Sequence, residues 1–292
     1  MSFHRARNQQ RACPDTRMTP RTAEQKMIEA LHQGRQVYGT VIASTSPKSI
    51  EGLVGLDLDC VMLDTEHIPM LWDDLGWLCR TYRSMGIVPL VRIPRADPFE
   101  ACRALDMGAG GIVAAYIETA EEVRQLRGAT KLRPLKGRKL DDILEGHTQL
   151  EGELAEYVQT RNASNVLIVN IESVAGISAL DEILAVPGLD AVLIGPHDLS
   201  CSVGHPEQYD HPAFEAAVTE IMAKARAHNV GAGIHNLPRV EQEIRWSREG
   251  MNLIMHRTDF TLFRRGLNDN LNAIRAALGQ ETGKGAAGHI NI

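Results

Sequence analysis

The sequence predicts a (β/α)8 barrel, on three observations. Short β-branched runs alternate with helix-length stretches from about residue 36 onward. The runs are almost continuously apolar, as in parallel strands buried on both faces. Eight such strand–helix units follow one another without a dinucleotide-binding glycine fingerprint. An open doubly wound sheet shows the same alternation, but eight even units favour closure.

The first strand is "QVYGTVIA" (36–43) and the second "CVMLDTE" (60–66), which ends in charge. Helix "LWDDLGWLCRTYRSMG" follows, with Gly86 at its C-cap. Strand three is "VPLVRIP" (88–94), and "PFEACRALDMG" after it has Pro98 in its first turn and Gly108 at its end. Strand four, "GIVAAYI" (111–117), precedes helix "TAEEVRQLRGAT". Strands five and six are "VLIVNIES" (166–173) and "AVLIGPHD" (191–198), followed by "GISALDEILAVPG" and "FEAAVTEIMAKARAHN". Strand seven, "VGAGIHN" (230–236), leads into "RVEQEIRWSREG", and strand eight is "NLIMHRTD" (252–259). Residues 131–165 are a long polar insertion after the fourth helix, with "LEGELAEYVQ" its best helical stretch. Insertions of this length often serve as lids or interfaces. The expected organisation is a disordered tail at 1–22, one barrel domain over 23–280 and a flexible tail at 281–292.

Composition narrows the function. Net charge is −6 and aromatics make up 4% of the 292 residues, which argues against a nucleic-acid partner. No apolar run approaches the roughly 20 residues that span a bilayer, so no membrane partner is expected. The Arg-rich first 22 residues lack the apolar segment of a secretory signal. Five scattered cysteines without C-x-x-C spacing suit a reducing, cytoplasmic compartment.

Barrel active sites form at the carboxyl ends of the strands, and there the ionisable residues gather. They are Asp64, Glu66 and His67 after strand two, Arg92 in strand three, and Asn170 and Glu172 in strand five. His197 and Asp198, His235 and Asn236, and His256, Arg257 and Asp259 complete the rim. Glu172 and Asp198 come from neighbouring strands and offer two hard oxygen ligands to Mg²⁺ or Mn²⁺, with Co²⁺ a further option. Arg92 leaves a buried strand and can hold a substrate oxygen through its fork of donors. Backbone amides around Gly195, Pro196 and His197 suit a carboxylate. None of the seven lysines lies in or at the end of a strand. A Schiff base is therefore not expected, and enolate chemistry here would run on metal.

The segments "LDTEHIP", "VPLVRIPRADP", "LDMGAGGI", "VNIESVAG" and "IGPHDLS" together resemble the HpcH/HpaI aldolase/citrate lyase family, over roughly residues 36–278. The resemblance implies a barrel of the phosphoenolpyruvate/pyruvate-binding type and a metal-dependent retro-aldol cleavage. A 4-hydroxy-2-oxo acid would give pyruvate and an aldehyde, reversibly. Glu172 and Asp198 would hold the metal, with Asp64 one water away. His67, paired to Asp106, would be the base, and Arg92 would steady the 2-oxo group. A homo-oligomer is implied, a hexamer or trimer of dimers.

Some positions depart from the family pattern. Lys139 stands where an arginine is usual, so it would bind substrate as a point charge rather than a fork. Ala115 replaces a usual proline, and His235, His256 and Arg257 add rim charge. "NLPRVEQEIRWSREG" is similar to a stretch in siderophore-pathway citrate synthases, which condense oxaloacetate with acetyl-CoA. That reaction, with an acyl donor in place of the aldehyde, is the alternative. A barrel that only binds a 2-oxo acid and metal is a third reading.

Overall fold

Each apolar run becomes a strand because only a sheet covered on both sides can bury it. In the computed structural model, which describes residues 20–281, eight parallel strands close into a barrel in chain order. They are β1 (Val37–Ile42), β2 (Cys60–Asp64), β3 (Val88–Ile93), β4 (Gly111–Ala114), β5 (Val166–Asn170), β6 (Ala191–Ile194), β7 (Gly231–His235) and β8 (Leu253–Thr258). The helices are α1 (Ala23–Gln33), α2 (Pro47–Glu51), α3 (Trp72–Ser84), α4 (Pro98–Asp106), α5 (Ala120–Lys131), α6 (Gly137–Leu144) and α7 (Gly152–Asn162). Then come α8 (Val174–Ser178), α9 (Leu180–Leu184), α10 (Pro196–Ser202), α11 (Pro212–Ala227), α12 (Val240–Arg248) and α13 (Asp259–Ala277). The predicted closure is correct. The predicted tails fall outside the described residues except for 20–22 and 281.

Strand alternation builds two cores. Val41, Met62, Leu90, Val113, Ile168, Leu193 and Met255 fill the barrel, while Val61, Leu63, Val91, Ile112, Val169, Val192 and Ile234 pack outward on the helices. Helix α1, which the strand–helix count missed, plugs the amino-terminal mouth with Met27, Ala30 and Leu31. Its start is legible in retrospect, because Thr22 and Gln25 form a capping box.

The 131–165 insertion folds as α6 and α7 around its own small core of Leu132, Leu144 and Val158. It packs on the outside of α5, and Asn165 Nδ2 ties its far end to Thr130 O at 2.8 Å. No helix among the described residues is long and apolar enough to cross a membrane.

One irregularity shapes the rim. Thr40 pairs with His256 but Val41 pairs with Thr258, so Arg257 is the extra residue of a bulge, at φ 37°.

Candidate active site

The register between β2 and β3 makes Asp64 and Arg92 direct neighbours, both turned inward. Arg92 Nε donates to Asp64 Oδ1 at 2.8 Å and Nη2 to Oδ2 at 2.6 Å, a bidentate fork buried at the barrel mouth. Burial pushes the Asp64 carboxyl up, but the Arg92 guanidinium outweighs it and holds the acid below its ordinary range. Arg92 loses by burial and gains more from Asp64, so it stays charged. Its remaining nitrogen, Nη1, lies 3.2 Å from Glu66 Oε2, which is also 3.6 Å from His67 Nε2. Burial raises the Glu66 carboxyl, against the pull of Arg92 and His67. Glu66, to which the sequence reading gave no chemistry, is thus the link between arginine and imidazole. Its position two residues after Asp64, on the same side by alternation, was the available signal.

Glu172 sits across the mouth, two residues past β5 and 3% exposed. Its Oε2 accepts from the Tyr116 N–H at 3.0 Å, and Tyr116 reaches that position with φ 54°. Its Oε1 accepts from Asn170 Nδ2 at 3.0 Å. A Cβ on Gly195 would collide with that same oxygen, so glycine there is a condition of the carboxylate's place. Burial, then Asp198 and Glu66, push Glu172 up to about 7. Asp198 lies in the first turn of α10 rather than in a strand, because Pro196 at N1 starts the helix early.

This donor set fits a divalent cation. Glu172, Asp198 and Glu66 repel one another, while Arg92, the one buried arginine among the described residues, is engaged by Asp64. Among the described residues no group of three or more His, Cys, Asp and Glu forms a metal cage. Two carboxylates completed by water and substrate is the habit of Mg²⁺.

Other predicted residues part from this group. Asp106 ends α4 at the amino-terminal side of the barrel and pairs there with Arg133, so it is not the partner of His67 within one chain. The physical reason is direction: α4 starts at the rim and runs back to the opposite face. Lys139 is exposed on α6, outside α5, and does not line the mouth. Strand alternation turns His256 outward, opposite to the inward Met255, and there Nδ1 meets Glu243 Oε2 at 2.7 Å. Arg257 Nη2 donates to the Pro238 carbonyl. Asp259 accepts from the amides of Ala43 and Ser44 at 3.0 and 3.1 Å, a loop brace rather than a ligand. Gly195 and Pro196 are buried at the head of α10, and His197 Nδ1 stands 3.7 Å from Glu207. His235 points inward and is 5% exposed, with burial and then Arg92 pushing its imidazole down to about 3.

The family model for HpcH/HpaI aldolase/citrate lyase matches residues 38–258. A 2-dehydro-3,6-dideoxy-6-sulfogluconate aldolase of Pseudomonas putida is 32% identical over 196 residues, 67% of this chain and 76% of that protein. A 2-keto-3-deoxy-L-rhamnonate aldolase of Salmonella gallinarum is 28% identical across 88% of this chain and 95% of its own. The crystal structure of the citrate synthase SbnG superposes with a TM-score of 0.73 at 26% identity, covering 87% of this chain and 98% of that one. The chain belongs to the HpcH/HpaI aldolase/citrate lyase family and is an enzyme of the aldolase/lyase kind.

Proposed function

We propose that this member of the family is a divalent-metal-dependent carbon–carbon lyase that cleaves a 4-hydroxy-2-oxo acid to pyruvate and an aldehyde, reversibly. The observation that carries the reading is the Asp64–Arg92–Glu66–His67 chain facing the Glu172 carboxylate across one mouth. Glu172 and Asp198 would hold the metal, with Asp64 supporting it through water. The metal supplies Lewis-acid stabilisation of charge on the 2-oxo oxygen.

The chain's own residues do the rest. Amides at the head of α10, after Gly195 and Pro196, receive the carboxylate, flanked by His197. His67 takes the proton of the 4-hydroxyl, the C3–C4 bond breaks, and its electron pair moves to the C2 oxygen. Arg92, immobilised by its fork on Asp64, donates to that oxygen as charge grows there. His67 returns that proton to C3, which releases pyruvate and leaves the imidazole as it began. The pairing of His67 with Asp106 then requires Asp106 of a neighbouring copy. Helix α13 supports a homo-oligomer, since it buries none of its residues and exposes Phe260, Phe263, Leu267 and Ile274; the hexamer or trimer of dimers is what the family resemblance implies.

The test is exchange of the pyruvate methyl protons in D₂O with Mg²⁺, Mn²⁺ or Co²⁺. Exchange is expected in the wild type and lost in His67→Asn; no exchange with any of these metals would sink the reading. Similarity to SbnG favours a second reading, condensation of oxaloacetate with acetyl-CoA. CoA release with oxaloacetate, and no aldol product from pyruvate and aldehydes, would put it first.

A further inference from the structure

We propose that Tyr116 forms the wall on which the aldehyde half of the substrate lies, and that the aldehyde it selects is uncharged, with an apolar face for the ring. This narrows the acceptor of the lyase reading above and rests on it.

The backbone at Tyr116 suits a different residue. Its φ of 54° is left-handed, a conformation that glycine adopts freely, asparagine tolerates and a bulky side chain enters only under strain. Of the five non-glycine residues with positive φ among the described residues, two are asparagines and Tyr116 is the one aromatic. The turn serves an end that needs no side chain. It aims the Tyr116 N–H at Glu172 Oε2, 3.0 Å away. On either side the Ala115 N–H donates to Ile93 O and the Ile117 N–H to Asn170 O, which fixes the turn between β3 and β5. Glycine would do all this without strain. Core packing does not offset the strain either, since Tyr116 is 50% exposed while Ala115 and Ile117 are fully buried. A strained tyrosine that neither the backbone nor the core calls for marks a role for its side chain at the surface it faces.

That surface is the outer part of the mouth. Burial, then the carboxylates of Glu118, Asp198 and Glu172, raise the phenol, so the ring stands within reach of both residues assigned to the metal. Exposure orders the depth. Glu172 and Arg92, which serve the oxo-acid half, are almost wholly buried, and Tyr116 stands above them. At that level the substrate presents C4 and the aldehyde carbons beyond it, leaving past the exposed His67.

Charge selects the class of aldehyde. The charged groups acting on the phenol are all carboxylates, and Glu118 leads them. A metal would neutralise Glu172 and Asp198 but not Glu118, whose Oε1 accepts from Ser173 Oγ at 2.6 Å and which has no cationic partner among the described residues. An aldehyde bearing a carboxylate or sulfonate would be repelled there. A phenol ring offers apolar carbon its face instead.

The test compares the metal-loaded wild type with Tyr116→Gly and Tyr116→Phe. Aldol addition of pyruvate to benzaldehyde, propionaldehyde and glyoxylate is measured beside pyruvate methyl exchange in D₂O, which engages no aldehyde. The wild type is expected to favour the two uncharged aldehydes over glyoxylate in kcat/KM. Tyr116→Gly, which keeps the N–H on Glu172, should lose about tenfold in kcat/KM with benzaldehyde, the scale of one aromatic contact. Its loss in methyl exchange should be several-fold smaller, and Tyr116→Phe, which keeps the ring, should retain most of the benzaldehyde rate. Equal losses in addition and exchange overturn the wall, leaving Tyr116 a brace for Glu172. A wild-type preference for glyoxylate, or an unchanged benzaldehyde rate in Tyr116→Gly, overturns it too. So does dissociation of the Tyr116→Gly assembly in sedimentation, which would make the ring a subunit contact. If the glycine variant does not fold, Tyr116→Asn carries the same comparison. Absence of methyl exchange in the wild type would sink the enolate reading alone. Benzaldehyde binding, read by saturation-transfer NMR in wild type and Tyr116→Gly, then decides the wall: loss in the variant upholds it and equal binding overturns it.

Discussion

The two ends of the barrel bury polar groups equally well and satisfy them very differently. At the amino-terminal end Asp190 accepts from the Leu167 N–H at 2.8 Å, Lys131 Nζ at 2.6 Å and His32 Nε2 at 3.0 Å. Asn252 nearby accepts from the Ala232 N–H and donates to the Leu31 and Arg35 carbonyls. At the carboxyl-terminal end the Asp64–Arg92 fork is complete, but burial and two neighbouring carboxylates push Glu172 up to about 7. His235 and the oxygen of Asn170 have no partner in the chain. The difference separates a network that stabilises the fold from one left open for the cation and substrate of the proposed function.

The sharpest way to break this comparison is a pair of isosteric changes. Glu172→Gln should lower kcat/KM by on the order of 10³, as loss of a preorganised charge-stabilising group does. The same change should stabilise the metal-free chain above pH 7. Moving the Glu172 pKa from 4.5 to about 7 corresponds to roughly 3 kcal/mol against the ionised form. The folded state holds this proton more tightly than the unfolded one, so the penalty is absent below pH 4.5 and full above pH 7. The stability gain from Glu172→Gln should therefore fade on acidification, measured by urea unfolding at pH 5 and pH 8. Asp190→Asn should do the reverse, destabilising by about 3–5 kcal/mol through its stranded lysine while folded molecules keep their kcat. Equal destabilisation by both changes would remove the distinction between the ends.

A smaller effect is expected at Gly195. Gly195→Ala forces the Glu172 carboxylate aside. Metal affinity should fall by about 10–100-fold, the usual scale for disturbing a ligand's support, with little loss of stability. Calorimetric metal titration checks it, and unchanged affinity would free Glu172 from its assigned role.

The smallest effect is at His32. Both ring nitrogens face acceptors, Asn229 O at 2.7 Å and Asp190 Oδ1 at 3.0 Å, and the hydrogen bond to Asp190 leads in raising its pKa. Its stabilising contribution is full below pH 6.5 and lost as pH rises through the folded value. His32→Gln should therefore cost stability at pH 6 and little at pH 9, with kcat unmoved.

Much of the fold was legible in the chain. All eight strands lie where the β-branched runs are, since a strand buried on both faces needs continuous apolar sequence. Several predicted strands ran too far toward the carboxyl end. "AVLIGPHD" stops at Ile194, because Gly195 and Pro196 open a helix instead. The same turn moves Asp198 out of the sheet and into a first helical turn. Arg92 and Glu172 were visible as charges at the ends of apolar runs, a placement that tells little for one strand and more when several strand ends share it.

Which charges meet was decided by tertiary structure. Asp64 faces Arg92 because two strands align in a given register, and one residue of slip would turn either side chain outward. Alternation in β8 turns His256 outward, and the bulge takes Arg257 away from a mouth that their order in the chain suggested they share. Asp106 holds a family-like position in sequence, yet the direction of α4 carries it to the amino-terminal side, where it pairs with Arg133. By itself the sequence determined the barrel, its rim and the residue types gathered there, because hydrophobic period and strand-end chemistry are local properties. Only the closed barrel decided that Arg92 is held by Asp64, that Glu66 reaches His67 and that His235 is buried unpaired. Those facts depend on register and depth, which exist only once all eight strands have met.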